Sequence, residues 1–332
     1  MMKRLFTLIV LLAMGWSGYW AVGYWGVSKG FELWFQDRRA DGWVAEYDDL
    51  SIAGFPNRFD TTFTNLTLAD PDTSVAWSAP FFQLFALSYR PNHVIAVWPH
   101  DQSLSTPLEK LSLHTDDMRA SLVLRPDTNL TLDRANLTID GLALQGSADW
   151  QLAAQDIDLA VQTQPDTPAT YRLALRAQDL TPPVAYQLPS GLQLPRSLET
   201  LHADLTATFD RPWDRTAIDD SRPQPTALTL AKAEVTWGDL ELNAAGKVTI
   251  DAHGNPTGTL TIRAVNWREI IAVARASGHI APGLLDTVQS ALELGSQLSG
   301  NANKLDIPLN FKNGTTRLGP VPIAPAPVIR LR

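Results

Sequence analysis

The stretch Val75–Trp98, VAWSAPFFQLFALSYRPNHVIAVW, decides how this chain folds. Phe81, Phe82, Leu84, Phe85, Leu87 and Tyr89 form a nearly unbroken apolar run, and Val94, Ile95, Val97 and Trp98 form a second. Both runs have strand length, and Arg90-Pro91-Asn92 separates them as a hairpin turn. Strands that are apolar on both faces must be covered on both faces. These two are therefore central core strands or the wall of an apolar groove. In the second case Trp77, Phe81, Phe85, Tyr89 and Trp98 are the candidate apolar ligand face, and Arg90 and His93 are the candidate contacts to a polar head group.

Outward from this hairpin the chain alternates with period two. Upstream, strand patterns begin at Trp43, Gly54-Phe55-Pro56-Asn57 is a turn signal, and FDTTFTNLTL (59–68) changes phase near Asn65, which predicts a bulge. Downstream, Leu111/Leu113, Leu122/Leu124, Leu130/Leu132, Leu137/Ile139 and Leu142/Leu144 each mark one inward face, and Ile157/Leu159/Val161 and Leu201/Ala203/Leu205 continue the series. Turn residues arrive at short intervals, the signature of an antiparallel meander with one dry face. The fragment Asn-Leu-Thr recurs at 65, 129 and 136 and reads as strand. The first β region covers 43–180. The Pro-rich stretch 181–195 links it to a second region, 196–332. There Asn266-Trp267-Arg268-Glu269 reads as a capping box opening a helix at 267–277 that Gly278 stops, and Pro282 opens another at 282–298. Residues 211–225 read as a polar loop without apolar period, either mobile or a contact site, and the Pro-rich tail as an extended edge.

At the N-terminus, Leu5–Val27 (LFTLIVLLAMGWSGYWAVGYWGV) carries no charge. As a helix it spans roughly 34 Å, enough for a hydrocarbon core of about 30 Å. A cleaved signal would have a shorter apolar region, although Ala13-Met14-Gly15 offers a small-x-small site. Tyr19, Trp20, Tyr24 and Trp25 crowd the far half, as rings do at a membrane interface. The expected layout is a cytoplasmic stub at 1–4, a transmembrane anchor at 5–27 and a juxtamembrane helix at 28–41. Lys3 and Arg4 keep the short end inside, so the bulk is expected in the periplasm of an inner-membrane, single-pass protein. Ala13, Ser17 and Ala21 share a helix face of the kind that lets a second helix approach, although a lipid-facing helix that happens to contain small residues is the preferred reading.

The net charge of −8, with no basic run past Arg39, argues against a nucleic-acid partner. With no cysteine there are no disulfides, thiolate nucleophiles or Cys-type metal sites. No Ser-x-x-Lys, phosphate-cradling Gly loop or His-x-x-Glu-His occurs, and Gly-x-Ser-x-Gly appears only at Gly26–Gly30, inside a helical run and not at the strand-to-helix turn a nucleophile elbow needs. The best metal candidate is His100-Asp101 with His114, Asp116 and Asp117, which exposed turn residues explain equally well. No cofactor and no catalytic residue is expected.

Several landmarks carry a resemblance: the apolar anchor, Gly54-Phe55-Pro56 with Arg58, Trp77-Ser78-Ala79-Pro80, Tyr89-Arg90-Pro91-Asn92-His93-Val94, and Gly314 with Leu318-Gly319-Pro320. Together they resemble an uncharacterised family of alphaproteobacterial membrane-anchored proteins, domain of unknown function 2125. That resemblance implies no function. More distantly, the strand at Gly246–Ile250, the turn at Asp251–Gly258 and the strand at Thr259–Ala264 resemble AsmA-like envelope proteins. That likeness implies inner-membrane anchoring, twisted sheets with apolar inner faces, and a link to envelope lipid.

The expected fold is mainly β (α+β): elongated, twisted antiparallel sheets with an N-terminal transmembrane helix and a C-terminal pair of amphipathic helices. The expected role is non-catalytic binding in cell-envelope maintenance, with lipid held along an apolar sheet face. The alternatives are an envelope lipid or glycan hydrolase with a dispersed site, and a periplasmic protein-interaction scaffold using loop 211–225 or the anchor stripe.

Overall fold

The computed structural model describes residues 2–148, 150–183, 194–219, 222–278, 280–299, 303–319 and 321–331. The fold is mainly β and antiparallel, with one long apolar helix at the N-terminus. The chain divides into a first unit, 1–123 with 144–149, and a second, 124–143 with 150–332. Most of the expected link at 181–195 lies outside the described residues, which omit 184–193.

The first unit contains α1 (Met2–Ala40), β1 (Val44–Glu46), β2 (Asp49–Ala53), β3 (Arg58–Asp70), β4 (Val75–Leu87), β5 (Arg90–Val97), β6 (Asp101–Ser105), β7 (Lys110–His114) and β8 (Asp117–Leu124). Residues 5–27 and 28–40 belong to one unbroken helix of about 58 Å. It stops where the amides of Gly42 and Trp43 bond to the carbonyls of Arg39 (3.1 Å) and Arg38 (3.0 Å). This crossed pair needs a left-handed residue, and Gly42 supplies it at φ +86°.

Strand β3 pairs with β1 and β2 on one side and β4 on the other. The inner half of β4 continues into β5 and then β8, and its outer half into β6 and β7. Helix α1 lies along β3. Phe31, Phe35 and Tyr47 surround Phe63 with ring centroids 5.1, 5.5 and 5.6 Å away. Phe35, Ala45, Phe63 and Leu66 form the buried core of the unit. Gly23 lets helix and sheet meet, because a Cβ there would lie 2.4 Å from the Phe59 ring.

The expected phase change in β3 is present, but it is not a bulge: the β3–β4 register runs through it unbroken, and it has a counterpart on β4. Asn65 takes φ +50°. Opposite it in the register stands Pro80, which has no N–H to give the ladder. Both strands therefore change face together: Phe59, Thr61 and Phe63 share a side with Leu66 and Leu68, as Ala86, Leu84 and Phe82 share it with Ala79 and Trp77. The β4–β5 turn is also tighter than expected. Leu87 pairs with Arg90, so Ser88-Tyr89 is the turn and Arg90 already begins the strand.

The second unit receives most of β9 (Leu132–Gly146) and then runs as a meander: β10 (Gln151–Gln164), β11 (Thr167–Leu180), β12 (Leu198–Phe209), the short α2 (Thr216–Asp219), β13 (Pro225–Trp237), β14 (Leu240–Ile250) and β15 (Pro256–Val265). Helices α3 (Trp267–Ala276) and α4 (Pro282–Ser299) precede β16 (Lys304–Lys312), β17 (Thr315–Leu318) and β18 (Val321–Pro325). Val161, Leu173, Leu205, Leu230, Gly246, Leu260, Leu309 and Leu318 fall in one register row across β10–β17. At one end of this apolar face Trp267, Ala264, Leu292, Leu305 and Ile307 form a buried cluster beneath α3 and α4.

Three local expectations need correction. Asn266 does not cap α3 with its side chain; it sits in the left-handed region (φ 56°) and its amide donates to the Asp239 carbonyl at 2.8 Å. Asn129 and Leu130 are not strand: they lie in a turn, with Leu130 at φ +52°, because the Asp127 carboxylate accepts the Asn129 amide at 3.0 Å. Within the polar loop, Trp213 is held: its amide donates to the Tyr171 hydroxyl at 2.9 Å and its ring stacks edge-on against Phe209 at 5.6 Å.

Tyr171 is buried, and desolvation raises its pKa above the ordinary value, with the Trp213 hydrogen bond opposing. A raised acid pKa means stability that is complete below pH ~10 and declines as pH rises through the higher folded value. Tyr171→Phe should cost about 1–3 kcal/mol at neutral pH by stripping the Trp213 amide of its acceptor. It should also abolish the Tyr171 part of the alkaline decline, both read from urea midpoints at pH 7 and above pH 10.

Candidate functional site

Along α1 from Val27 to Phe35, a groove of about 540 Å³ opens between the helix and the β3–β4 face. That size falls within the roughly 300–1,000 Å³ of small-molecule sites. Val27, Gly30, Phe31, Trp34 and Phe35 form the helix wall. Phe59, Thr61, Phe63, Leu66 and Leu68 on β3, with Trp77, Phe82, Leu84 and Ala86 on β4, form the floor, and Pro91 and Val94 on β5 lie at the end nearest the Ser88-Tyr89 turn. No lining residue is ionisable. The Trp77 indole N–H donates to Gln102 Oε1 at 3.0 Å and is thus satisfied by a side chain outside the lining.

The sequence-predicted residues are distributed as follows. Trp77 lines the groove, and Trp98 backs it through Phe82, whose ring lies 5.6 Å from Trp77 and 5.2 Å from Trp98. Phe81 and Phe85 do not line it, because they pair with Thr64 and Asp60 on the opposite face of β3–β4. Tyr89 stands exposed at the turn. Arg90 is exposed beside Pro91 at the groove's end. His93 is held by β8, its Nε2 2.9 Å from Ser121 Oγ, and does not reach the groove. Sequence reasoning missed Phe82 and Leu84 on β4 and the whole helix wall. The proline at position 80 was the signal for the first omission.

Strand pairing brings His114 Nδ1 to 2.7 Å from Asp101, with the His100 ring 6.4 Å from that of His114. His100 Nδ1 instead faces the Thr115 carbonyl at 2.8 Å. Among the described residues no group of three or more His, Asp or Glu could hold a metal ion.

At its lower end α1 passes the tips of the sheet. The Trp16 indole donates to the Pro56 carbonyl (2.9 Å), the Tyr19 hydroxyl to the Ser88 carbonyl (2.6 Å) and the Trp20 indole to the Arg58 carbonyl (2.9 Å). The Trp20 ring also meets Phe55 and Phe59 at 5.3 and 5.8 Å.

Fold and site together define a mainly β protein with an apolar groove beside an N-terminal helix long and apolar enough to cross a membrane. The family described as an uncharacterized protein conserved in bacteria (DUF2125) matches residues 20–327, and the chain belongs to it. No curated protein and no solved structure matches the chain.

Proposed function

We propose that this chain is a single-pass inner-membrane protein, its bulk in the periplasm, that holds the acyl chain of a membrane lipid between α1 and β3–β4. Its role is binding in envelope maintenance rather than catalysis. The observation that carries this reading is the groove itself: walls without an ionisable group, formed partly by the same helix that is apolar enough to enter a bilayer. A lipid tail following α1 past Val27 meets apolar side chains, with the Thr61 hydroxyl as the one polar side-chain oxygen in the lining. Each buried methylene gains about 0.8 kcal/mol against water, but the bilayer interior is equally apolar. Transfer from leaflet to groove is therefore nearly balanced, which suits reversible loading. Arg90, exposed beside Pro91, meets the head group left outside. The basic pair Lys3-Arg4 supports the orientation.

A phospholipid carrying a diazirine at its acyl end, in vesicles holding the full chain, should crosslink to peptides 59–68 and 77–86. Ala86→Trp, which fills the floor of the groove, should lower that labelling about tenfold, a loss of about 1.4 kcal/mol, with labelling of 5–27 unchanged. Crosslinks confined to 5–27 and indifferent to Ala86→Trp would refute lipid binding in the groove.

A further inference from the structure

Helix length and the three aromatic hydrogen bonds are in conflict with a body that stands clear of the bilayer. A hydrocarbon core of about 30 Å takes about 20 helical residues, so a span that starts at Leu5 ends near Trp25. The sheet is already attached to α1 at Trp16, Tyr19 and Trp20. Those attachment points lie roughly 7–13 Å inside the far boundary of such a span. Either the apolar helix stops short of crossing, or the sheet tips enter the leaflet.

The tips are built for entry. The turn at 54–58 and the turn at Ser88-Tyr89 are the two held by the helix, and the Ser88 amide bonds to the Asn57 carbonyl at 2.8 Å, tying them together. Each presents one large ring outward: Phe55 is 57 % exposed and Tyr89 56 %. Backbone carbonyls without partners are costly away from water. Here the carbonyls of Pro56, Arg58 and Ser88 each accept from an aromatic N–H or O–H of α1. Arg58, the charged residue of the first turn, is paired with Asp60 at 2.6 Å. Arg90, next to the second, has a stem long enough to keep its charge at the head groups.

We propose that these two turns seat in the acyl–head-group boundary of the leaflet facing the body, with Phe55 and Tyr89 inserted beside α1. The seat makes a second membrane contact besides the span and brings the Pro91 end of the groove, beside exposed Arg90, to the lipid. It rests on the anchor alone and is independent of whether the groove is loaded.

The chain has no cysteine, so single-cysteine probes are clean. Full-length Phe55→Cys, Tyr89→Cys, Leu12→Cys and Leu108→Cys chains would each carry an environment-sensitive fluorophore in phosphatidylethanolamine–phosphatidylglycerol vesicles. Leu108, 94 % exposed, follows β6, which pairs with the Ala76–Ser78 end of β4, away from the Ser88 turn. Brominated acyl chains should quench probes at 55 and 89 as well as at 12, and aqueous iodide should reach 108 severalfold better than any of them. If 12 is protected while 55 and 89 respond to iodide like 108, the seat is wrong and the anchor stands. If 12 responds to iodide too, anchor and seat fall together.

Discussion

A chain carrying Phe35→Ala should lose about 3–5 kcal/mol from its first unit, the usual cost of truncating a buried aromatic. The Phe35 ring is 2 % exposed. It is wedged between Tyr47 at 4.7 Å and Phe63 at 5.5 Å, with the Arg39 guanidinium 6.0 Å from its face. This ring joins helix to sheet, and it also forms part of the groove wall. Its removal therefore opens a cavity that connects with the groove and cannot collapse without moving α1. Hydrogen exchange of the full chain in lipid discs should show amides of β3 and residues 31–40 opening roughly a hundredfold to several thousandfold more often. Phe35→Leu, which keeps most of the volume, should be felt much less. Unchanged exchange in Phe35→Ala would mean that helix and sheet are not packed as described.

Trp267→Ala should be comparably severe in the second unit. Trp267 opens α3, is buried, and lies among Ala264, Leu292, Leu305 and Ile307. The Arg268 guanidinium sits 4.3 Å from its ring. Without the indole, α3 and α4 lose the anchor that holds them on β15 and β16, at a cost of about 3–5 kcal/mol. The expected result is a lower urea midpoint with loss of amide protection in α4 and β16 (Lys304–Lys312). Protection retained there would show that α4 docks through Leu285 and Leu292 without help from Trp267.

The strand content was legible because alternation is local: Leu111/Leu113 and Leu201/Ala203/Leu205 announce their face two residues at a time. The end of the helix expected at 28–41 was legible for the same reason, since the left-handed glycine that follows, Gly42, is a property of one position. What escaped the sequence was the pairing across strands. Asn65 alone predicted an irregularity, but only the register shows that Pro80 stands opposite it and turns β4 over. Counting β4 from its aromatic residues picked Phe81 and Phe85, whereas the groove takes Phe82 and Leu84. The helix wall was hidden for a different reason. The first charge past the apolar run, Lys29, marks a change of surroundings along α1 and not a break in it, so its contact with β3 is a tertiary fact. The Asn266 side chain was likewise drawn away from capping by a carbonyl distant in sequence, that of Asp239.

The most direct test of the central claim is an experimental structure of the full chain crystallised from a lipidic mesophase. The expected result is a continuous rod of density, of acyl-chain width, between Phe31 and Phe35 on α1 and Phe82 and Leu84 on β4. Side chains closed across that space, or ordered water filling it, would overturn lipid binding in the groove.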